Sequence, residues 1–186
     1  MKNSKIFVAC DTSSIILVKK IIKQTKTRRL EIIPKFGLQF FYSKKGRKFL
    51  EKFDNDFFLD LKINDIKQTA LSAIDSLKDL KKCKYITVHA NGGLEMLKAV
   101  KKVAYRTNKN LKVLGVTVLT SLNNKSLKEI GYTKNLEKLV LKQVNLIKKA
   151  GLQGAVLSAK EAKVVKKRYK NLFIVTPGIR LPGDKN

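Results

Sequence analysis

The fold is decided by residues 56–70, which read Asp-Phe-Phe-Leu-Asp-Leu-Lys-Ile-Asn-Asp-Ile-Lys-Gln-Thr-Ala. Three consecutive apolar residues, 57–59, predict a buried strand. Asp60 and Lys62 follow at a spacing that turns both side chains to one face of a strand, and Asp65 comes where the strand should give way to a helix. A surface ion pair would explain an isolated Asp-x-Lys. Because buried charges are costly unless they are paired, the rest of the chain must decide whether this pair is isolated.

The same order of strand and helix repeats along the whole chain. Apolar segments typical of buried strands occur at residues 6–10, 30–35, 57–59, 85–90, 112–119, 154–158 and 172–178. Helical patterns follow the first six, at residues 16–22, about 37–53, 65–80, 94–105, 135–150 and 159–169. Strands that are apolar on both faces belong in a parallel sheet covered by helices. No Gly-x-Gly-x-x-Gly follows the first strand, which argues against a dinucleotide-binding sheet.

We therefore predict an α/β fold, a (β/α)₈ TIM barrel, in a single domain over residues 1–186. Polar side chains end several strands: Asp11, Lys35, Asp60 with Lys62, His89, Thr120 and Arg180. In a barrel the carboxyl ends of the strands meet at one mouth, where active sites lie. Only seven β–α units are counted before Asn186, so we expect the eighth to be missing from this chain. Because the loops after strands 7 and 8 commonly bind phosphate in such barrels, we expect weak or no activity of the 186-residue chain.

The formal net charge of +27 raises the question of an anionic partner. Lysine far outnumbers arginine and is spread over every predicted helix, a bias that an AT-rich genome would produce. The interleaved aromatic and arginine clusters of single-strand binders are missing. We therefore predict no nucleic-acid partner, although a positive field would help to attract an anionic substrate.

The sequence also carries hints about the compartment of the protein. No apolar run is long enough to cross a bilayer, and the first residues lead straight into a strand rather than into a signal sequence. Cys10 and Cys83 have no metal-binding or redox spacing, and each lies in an apolar segment. They predict reduced core thiols in a cytoplasmic protein that has no membrane partner.

Taken together, the strand ends resemble the orotidine 5′-phosphate decarboxylase family. The most specific segment is Phe-Leu-Asp-Leu-Lys-Ile-Asn-Asp-Ile at 58–66, followed by Thr69, which contains the family's Asp-x-Lys-x-x-Asp core. Three further segments resemble family motifs in the right order: Val-His-Ala-Asn-Gly-Gly at 88–93, Val-Thr-Val-Leu-Thr-Ser at 116–121 and Thr-Pro-Gly-Ile-Arg at 176–180. The core alone is shared with other sugar-phosphate decarboxylases and aldolases of the same barrel superfamily, whereas four ordered motifs are specific.

The resemblance implies a lyase (EC 4.1.1.23) that decarboxylates OMP to UMP in pyrimidine biosynthesis, without a metal or organic cofactor. It assigns Lys35, Asp60, Lys62 and Asp65 to an alternating charged network. Lys62 would protonate C6 of the pyrimidine, and Asp60 would lie beside the departing carboxylate. Lys35 would hold the network and bind the ribose, and Asp65 would reach the partner's ribose in a homodimer.

The same resemblance assigns further residues to substrate binding. Asp11 would bind a ribose hydroxyl, and Thr120 would read the pyrimidine ring. Thr69 and Arg180 would lie near the substrate.

Several other interpretations stay open from the sequence. His89 is more typical of a hydrogen-bonded structural residue than of an acid–base catalyst. Thr120 could simply cap the next segment, and Arg180 could be a surface residue. Two other functions remain: a metal-dependent sugar-phosphate lyase of the same superfamily, against which insensitivity to a chelator would argue, and a basic nucleic-acid-binding protein, which would bind RNA or DNA in a steeply salt-dependent way.

Overall fold

The computed structural model describes residues 5–179, and its strands form one parallel sheet. The strands are β1 (Lys5–Ala9), β2 (Glu31–Gly37), β3 (Phe57–Ile63), β4 (Cys83–His89), β5 (Lys112–Val116), β6 (Gly154–Val156) and β7 (Phe173–Val175). Each strand pairs with the one before it, so the order in the sheet is β1 to β7. A doubly wound sheet would reverse this order at a switch point. The predicted barrel fold is confirmed, with seven of its strands in the described residues; the prediction of a single domain over 1–186 stays a prediction.

Helices cover the outer face of the sheet. They are α1 (Ile15–Thr25), α2 (Leu38–Phe41), α3 (Gly46–Glu51), α4 (Lys67–Asp75), α5 (Gly93–Thr107), α6 (Asn124–Glu129), α7 (Leu136–Lys149) and α8 (Ala159–Arg168), with a 3₁₀ turn at Ala90–Gly92. Within residues 5–179, no helix combines the length and the apolar character needed to span a membrane.

Some predicted boundaries were wrong, and the structure gives the reasons. The single helix expected over about 37–53 is split into α2 and α3, because the chain turns where the Ser43 hydroxyl donates to the Phe40 carbonyl (2.7 Å). The connection before residue 135 contains α6, whose first N–H groups are capped by the side chain of Asn123. The fifth strand ends at Val116 rather than at 119, although Val118 is still buried in the core. An apolar run therefore marked burial there and not strand pairing.

The sheet separates two apolar clusters. The larger lies between the sheet and the helices, and in one region it contains a group of phenylalanine rings: Phe36, Phe40, Phe49, Phe53 and Phe57. The smaller fills the concave face of the sheet with Ile33, Phe58, Tyr85, Leu114, Val116 and Val156, against which Phe7, Phe173 and Val175 pack. This second cluster forms the floor on which the polar strand ends rest.

The concave face changes character toward the carboxyl ends of the strands. Alternate residues of a strand share one face, and on β2, β3 and β4 an apolar floor residue is followed two positions later by a polar one. The pairs are Ile33 and Lys35 on β2, Phe58 and Asp60 on β3, and Tyr85 and Thr87 on β4. The strand period thus places the charged side chains directly above the apolar floor.

Candidate active site

Four of the predicted site residues meet at the carboxyl ends of β1, β2 and β3. The Lys35 ammonium lies 3.6 Å from Asp11 Oδ2 and 3.3 Å from Asp60 Oδ2. The Lys62 ammonium lies 2.9 Å from the same oxygen of Asp60. One carboxylate oxygen therefore receives two ammonium groups, and the charges alternate from Asp11 through Lys35 and Asp60 to Lys62.

Asp60 is held as a carboxylate by its two cationic neighbours. Its side chain is only 14% exposed, and this burial by itself would raise its pKa. The charges of Lys35 and Lys62 outweigh burial, and hydrogen bonds from Lys62 and Thr87 add to them, so the pKa of Asp60 falls below its ordinary value of 3.8. A lowered pKa means that the ionised group stabilises the fold at neutral pH, and that this contribution is lost only as the pH falls below about 4.

Lys62 reaches Asp60 through a bulge rather than through regular strand spacing. On β3, Leu59 pairs with Ile86 of β4, and the next pair is Ile63 with Val88. Residues 60–62 therefore lie opposite the single residue Thr87. This is a β-bulge, a feature that is common next to active sites. Lys62 has a φ of 49°, and no other non-glycine residue of the described chain has a positive φ. The prediction from strand spacing brought the two side chains together but missed this geometry.

Two residues that shape the site were missed by the sequence reasoning. Thr87 is fully buried, and its hydroxyl contacts both the carboxylate of Asp60 and the main chain of Lys62. Its signal was slight, a single hydroxyl within an apolar strand. Gly37 ends β2 beside Asp11, and a Cβ there would lie 2.6 Å from Asp11 Oδ1. A glycine at this position leaves the space that the Asp11 carboxylate occupies.

The other predicted residues lie apart from the network. Asp65 is exposed, and its carboxylate accepts a hydrogen bond from the Ile66 N–H (2.7 Å). No ion pair to Asp65 is found within residues 5–179, so inside one chain the predicted four-residue network is not completed by Asp65. Thr69 is exposed on α4, and Thr120 is exposed in the turn after β5. Arg180 lies outside the described residues.

His89 ends β4 and is nearly buried beside the network. Its side chain is a local cap, since Nδ1 accepts a hydrogen bond from the Asn91 N–H at 3.5 Å. Burial lowers the pKa of His89 below its ordinary value of 6.5, and the positive charge of Lys62 lowers it further. The imidazole is therefore neutral at pH 7, which favours the structural role over acid–base catalysis.

Proton NMR can test this because the chain has a single histidine. We expect the ring protons of His89 to titrate with a midpoint below 6.5, and K62A to move the midpoint upward because a nearby positive charge is removed. Because a lowered histidine pKa makes protonation unfavourable to the fold, stability should also fall as the pH drops below about 6.5. K19A, at an exposed lysine of α1, is the control and should leave the midpoint unchanged. A midpoint above 6.5, or one insensitive to K62A, would contradict the described environment.

Neither cysteine nor any acidic cluster offers a metal site in the described chain. Cys10 and Cys83 are both buried and unpaired, as expected for core thiols. Burial raises the pKa of Cys10 to about 11 and that of Cys83 to about 12, so both remain protonated at neutral pH. Across residues 5–179, no three His, Cys, Asp or Glu side chains are grouped so that they could hold a metal ion.

Comparison with known proteins gives a consistent result over nearly the whole chain. Residues 4–186 match the model of the "Orotidine 5′-phosphate decarboxylase / HUMPS family". An orotidine 5′-phosphate decarboxylase from Carboxydothermus hydrogenoformans is 38% identical over an alignment that covers 99% of this chain and 78% of that protein. One from Malacoplasma penetrans is 34% identical, with 99% of this chain and 80% of that protein covered.

A solved structure extends the similarity to the fold. The crystal structure of orotidine 5′-phosphate decarboxylase from Lactobacillus acidophilus superimposes with a TM-score of 0.86 at 28% identity, over 96% of this chain and 82% of that one. These relatives support the decarboxylase prediction and not the metal-dependent alternative. The family expected from the motifs is confirmed: the chain belongs to the orotidine 5′-phosphate decarboxylase / HUMPS family.

Proposed function

We propose that the protein is an orotidine 5′-phosphate decarboxylase, which converts OMP to UMP and CO₂ without a cofactor. The observation that carries this proposal is the ammonium of Lys62, held 2.9 Å from a carboxylate oxygen that it shares with Lys35. Membership of the family indicates OMP as the substrate, and the charged network is suited to its decarboxylation.

The reaction demands a fixed positive charge beside one carbon. When the bond from C6 to the carboxylate breaks, its electron pair stays on C6, where no neighbouring carbonyl delocalises it. An ammonium directed at C6 stabilises the developing negative charge and then supplies the proton that completes UMP. This combines electrostatic preorganisation with general acid catalysis. Lys62 takes this role because it is the network's most exposed ammonium, with 36% of its side chain accessible against 16% for Lys35.

Asp60 and Lys35 prepare this ammonium before the substrate arrives. Asp60 provides the anion that pairs with the ammonium of Lys62, and it would lie next to the departing carboxylate of OMP. Lys35 bridges Asp60 and Asp11, so it fixes the network, and it is the residue proposed to bind the ribose. Asp11, Thr69, Thr120 and Arg180 are the further residues proposed for substrate binding.

The proposed active form is a homodimer in which Asp65 serves the partner's site. Two observations support it: Asp65 is exposed with no ion pair inside the described chain, and its neighbour Ile66 is 73% exposed at the same loop. An exposed apolar side chain beside a carboxylate that has no ion pair in the described chain suits a contact between two copies. Light scattering should give twice the chain mass of 21.1 kDa; a monomer at assay concentration would contradict the dimer.

We also propose that the protein has no nucleic-acid partner and that it is located in the cytoplasm. Two buried, unpaired thiols support a reducing compartment. The excess of lysine then acts through its long-range field, which attracts an anionic nucleotide to the site.

The direct test is conversion of OMP to UMP by the purified protein in the presence of EDTA, followed by chromatographic separation of the two nucleotides. We expect UMP to form at a rate unaffected by the chelator. The expectation of weak turnover by a 186-residue chain stays a prediction, so UMP binding is measured in parallel by titration calorimetry. Absence of both UMP formation and UMP binding would contradict the proposed function, and turnover that EDTA abolishes would favour the metal-dependent alternative.

A further inference from the structure

We propose that Thr87 is a positioning residue for this reaction, whose hydroxyl holds the Asp60 carboxylate and the Lys62 main chain in their working arrangement. The inference rests on the proposed function and deepens it, since it names the group that orients the proton donor. The role belongs to a residue outside the charged network, and none of the strand-end patterns in the sequence pointed to it.

The geometry uses both capacities of one hydroxyl. Thr87 Oγ1 accepts a hydrogen bond from the Lys62 N–H at 2.9 Å, and it donates one to Asp60 Oδ1 at 2.9 Å. A hydroxyl has one proton to give and lone pairs to receive, so a single side chain serves a donor and an acceptor at once. No other residue in the described chain hydrogen-bonds to both Asp60 and the main chain of Lys62.

The first consequence concerns the orientation of the carboxylate. With Oδ1 bound to Thr87, the other oxygen, Oδ2, is the one that faces the two ammonium groups at 2.9 Å and 3.3 Å. Without the Thr87 hydroxyl, the carboxylate of Asp60 could rotate about its last torsion, which is a soft one. The distances from Asp60 Oδ2 to the ammonium groups of Lys35 and Lys62 would then no longer both be fixed.

The second consequence concerns the backbone of Lys62. A lysine with φ of 49° occupies a sparsely populated conformation that persists only where surrounding contacts hold it. The bulge removes Lys62 from the regular ladder between Leu59–Ile86 and Ile63–Val88, so its N–H needs another acceptor. Thr87 is that acceptor, and it is completely buried, so water does not compete for the bond.

A purely structural reading treats Thr87 as a β-branched residue that packs well in a strand. That reading predicts that valine, which has nearly the same shape, would replace threonine with little effect. The positioning reading predicts the opposite, because valine keeps the packing and removes both hydrogen bonds. T87V and T87S therefore separate the two, since serine keeps the hydroxyl and loses only a methyl group.

The experiment compares the two variants with the wild type in turnover and in NMR. We expect T87V to lower kcat by about 10–100-fold, as a small misplacement of a catalytic group does, with KM changed less than about threefold. T87S should stay within about threefold of the wild-type kcat. In ¹⁵N and ¹³C NMR, T87V should lose hydrogen-exchange protection of the Lys62 amide, and its Asp60 carboxyl should titrate at higher pH than in the wild type.

The matched control is T117V, at another fully buried threonine whose hydroxyl, within residues 5–179, bonds only to the Val156 carbonyl (3.2 Å). It should leave kcat, the Lys62 amide and the Asp60 titration unchanged. Should T87V not fold, T87A, which is smaller than threonine, takes its place.

The proposal is overturned if T87V or T87A matches the wild type in turnover and in both NMR readouts, or if T87S loses as much turnover as they do. The NMR readouts need no turnover. Failure of the wild type both to convert OMP and to bind UMP would therefore count against the proposed function alone, while Thr87 would still be tested.

Discussion

Replacing Lys62 with alanine is expected to lower kcat for UMP formation by at least about 10⁴-fold. General acid catalysis by a positioned side chain commonly contributes about 10²–10⁴-fold, and a preorganised electrostatic donor about 10²–10³-fold. Lys62 would supply both, because the ammonium that stabilises the charge at C6 also delivers the proton. The other ammonium of the network, on Lys35, is tied between Asp11 and Asp60 and is less exposed, so it is poorly placed to substitute.

A suitable control is K84A, which also removes a lysine paired with an aspartate. Lys84 lies near the start of β4, at the end of the strand opposite the mouth, where its ammonium binds Asp56. Turnover of K84A should stay within about twofold of the wild type, because exposed ion pairs contribute little and this one is remote from the mouth. Steady-state initial rates with OMP in excess of its KM give kcat for both variants. A K62A enzyme with wild-type kcat would remove the central assumption of the proposed mechanism.

Replacing Asp60 with asparagine is expected to lower kcat by about 10²–10³-fold while leaving the fold intact. The amide has nearly the same shape but no charge, so Lys35 and Lys62 lose the anion that they share. The two ammonium groups then repel each other without compensation, and Lys62 is no longer directed at C6. Loss of one partner from a fully buried ion pair costs about 3–5 kcal/mol. Because Lys62 is 36% exposed, we expect a smaller loss of stability, about 1–3 kcal/mol.

Urea denaturation and kcat measured on the same samples check this prediction. D79N is the control, since Asp79 forms an ion pair with Arg47 at 2.7 Å on the surface, with 43% of the Asp79 side chain exposed. Its loss of stability should stay below about 1 kcal/mol, and its turnover should not change. If D60N retained wild-type turnover, Asp60 would be a structural partner of Lys35 and not part of the catalytic network.

Much of the fold could be predicted because its signals are local. The alternation of apolar strand and amphipathic helix recurs at each unit, and strands apolar on both faces are typical of a covered parallel sheet. The order of charged strand ends placed Asp11, Lys35, Asp60 and Lys62 at one mouth, and the structure brings these four together. The ordered motifs identified the family, which the comparisons confirm.

Other features of the site were not open to prediction from local pattern. Whether β3 runs regularly past β4 depends on how two strands distant in sequence come into register, and the bulge at 60–62 appears only in that pairing. The same holds for Gly37, whose missing side chain matters only because Asp11 of another strand lies against it. Asp65 could be assigned to the network by motif, but its distance from the other members is a property of the folded chain.

The sequence by itself therefore determined which chemical groups this protein carries and at which ends of its strands they lie. It did so because strand period and charge are properties of a few neighbouring residues. Only the tertiary structure decided that Lys62 and Lys35 share one oxygen of Asp60, and that Thr87 holds the other oxygen. The contacts of Asp60 with Lys35 and Thr87 join residues 25 and 27 positions apart, and the geometry of the site follows from strand register and a strained backbone that no local pattern encodes.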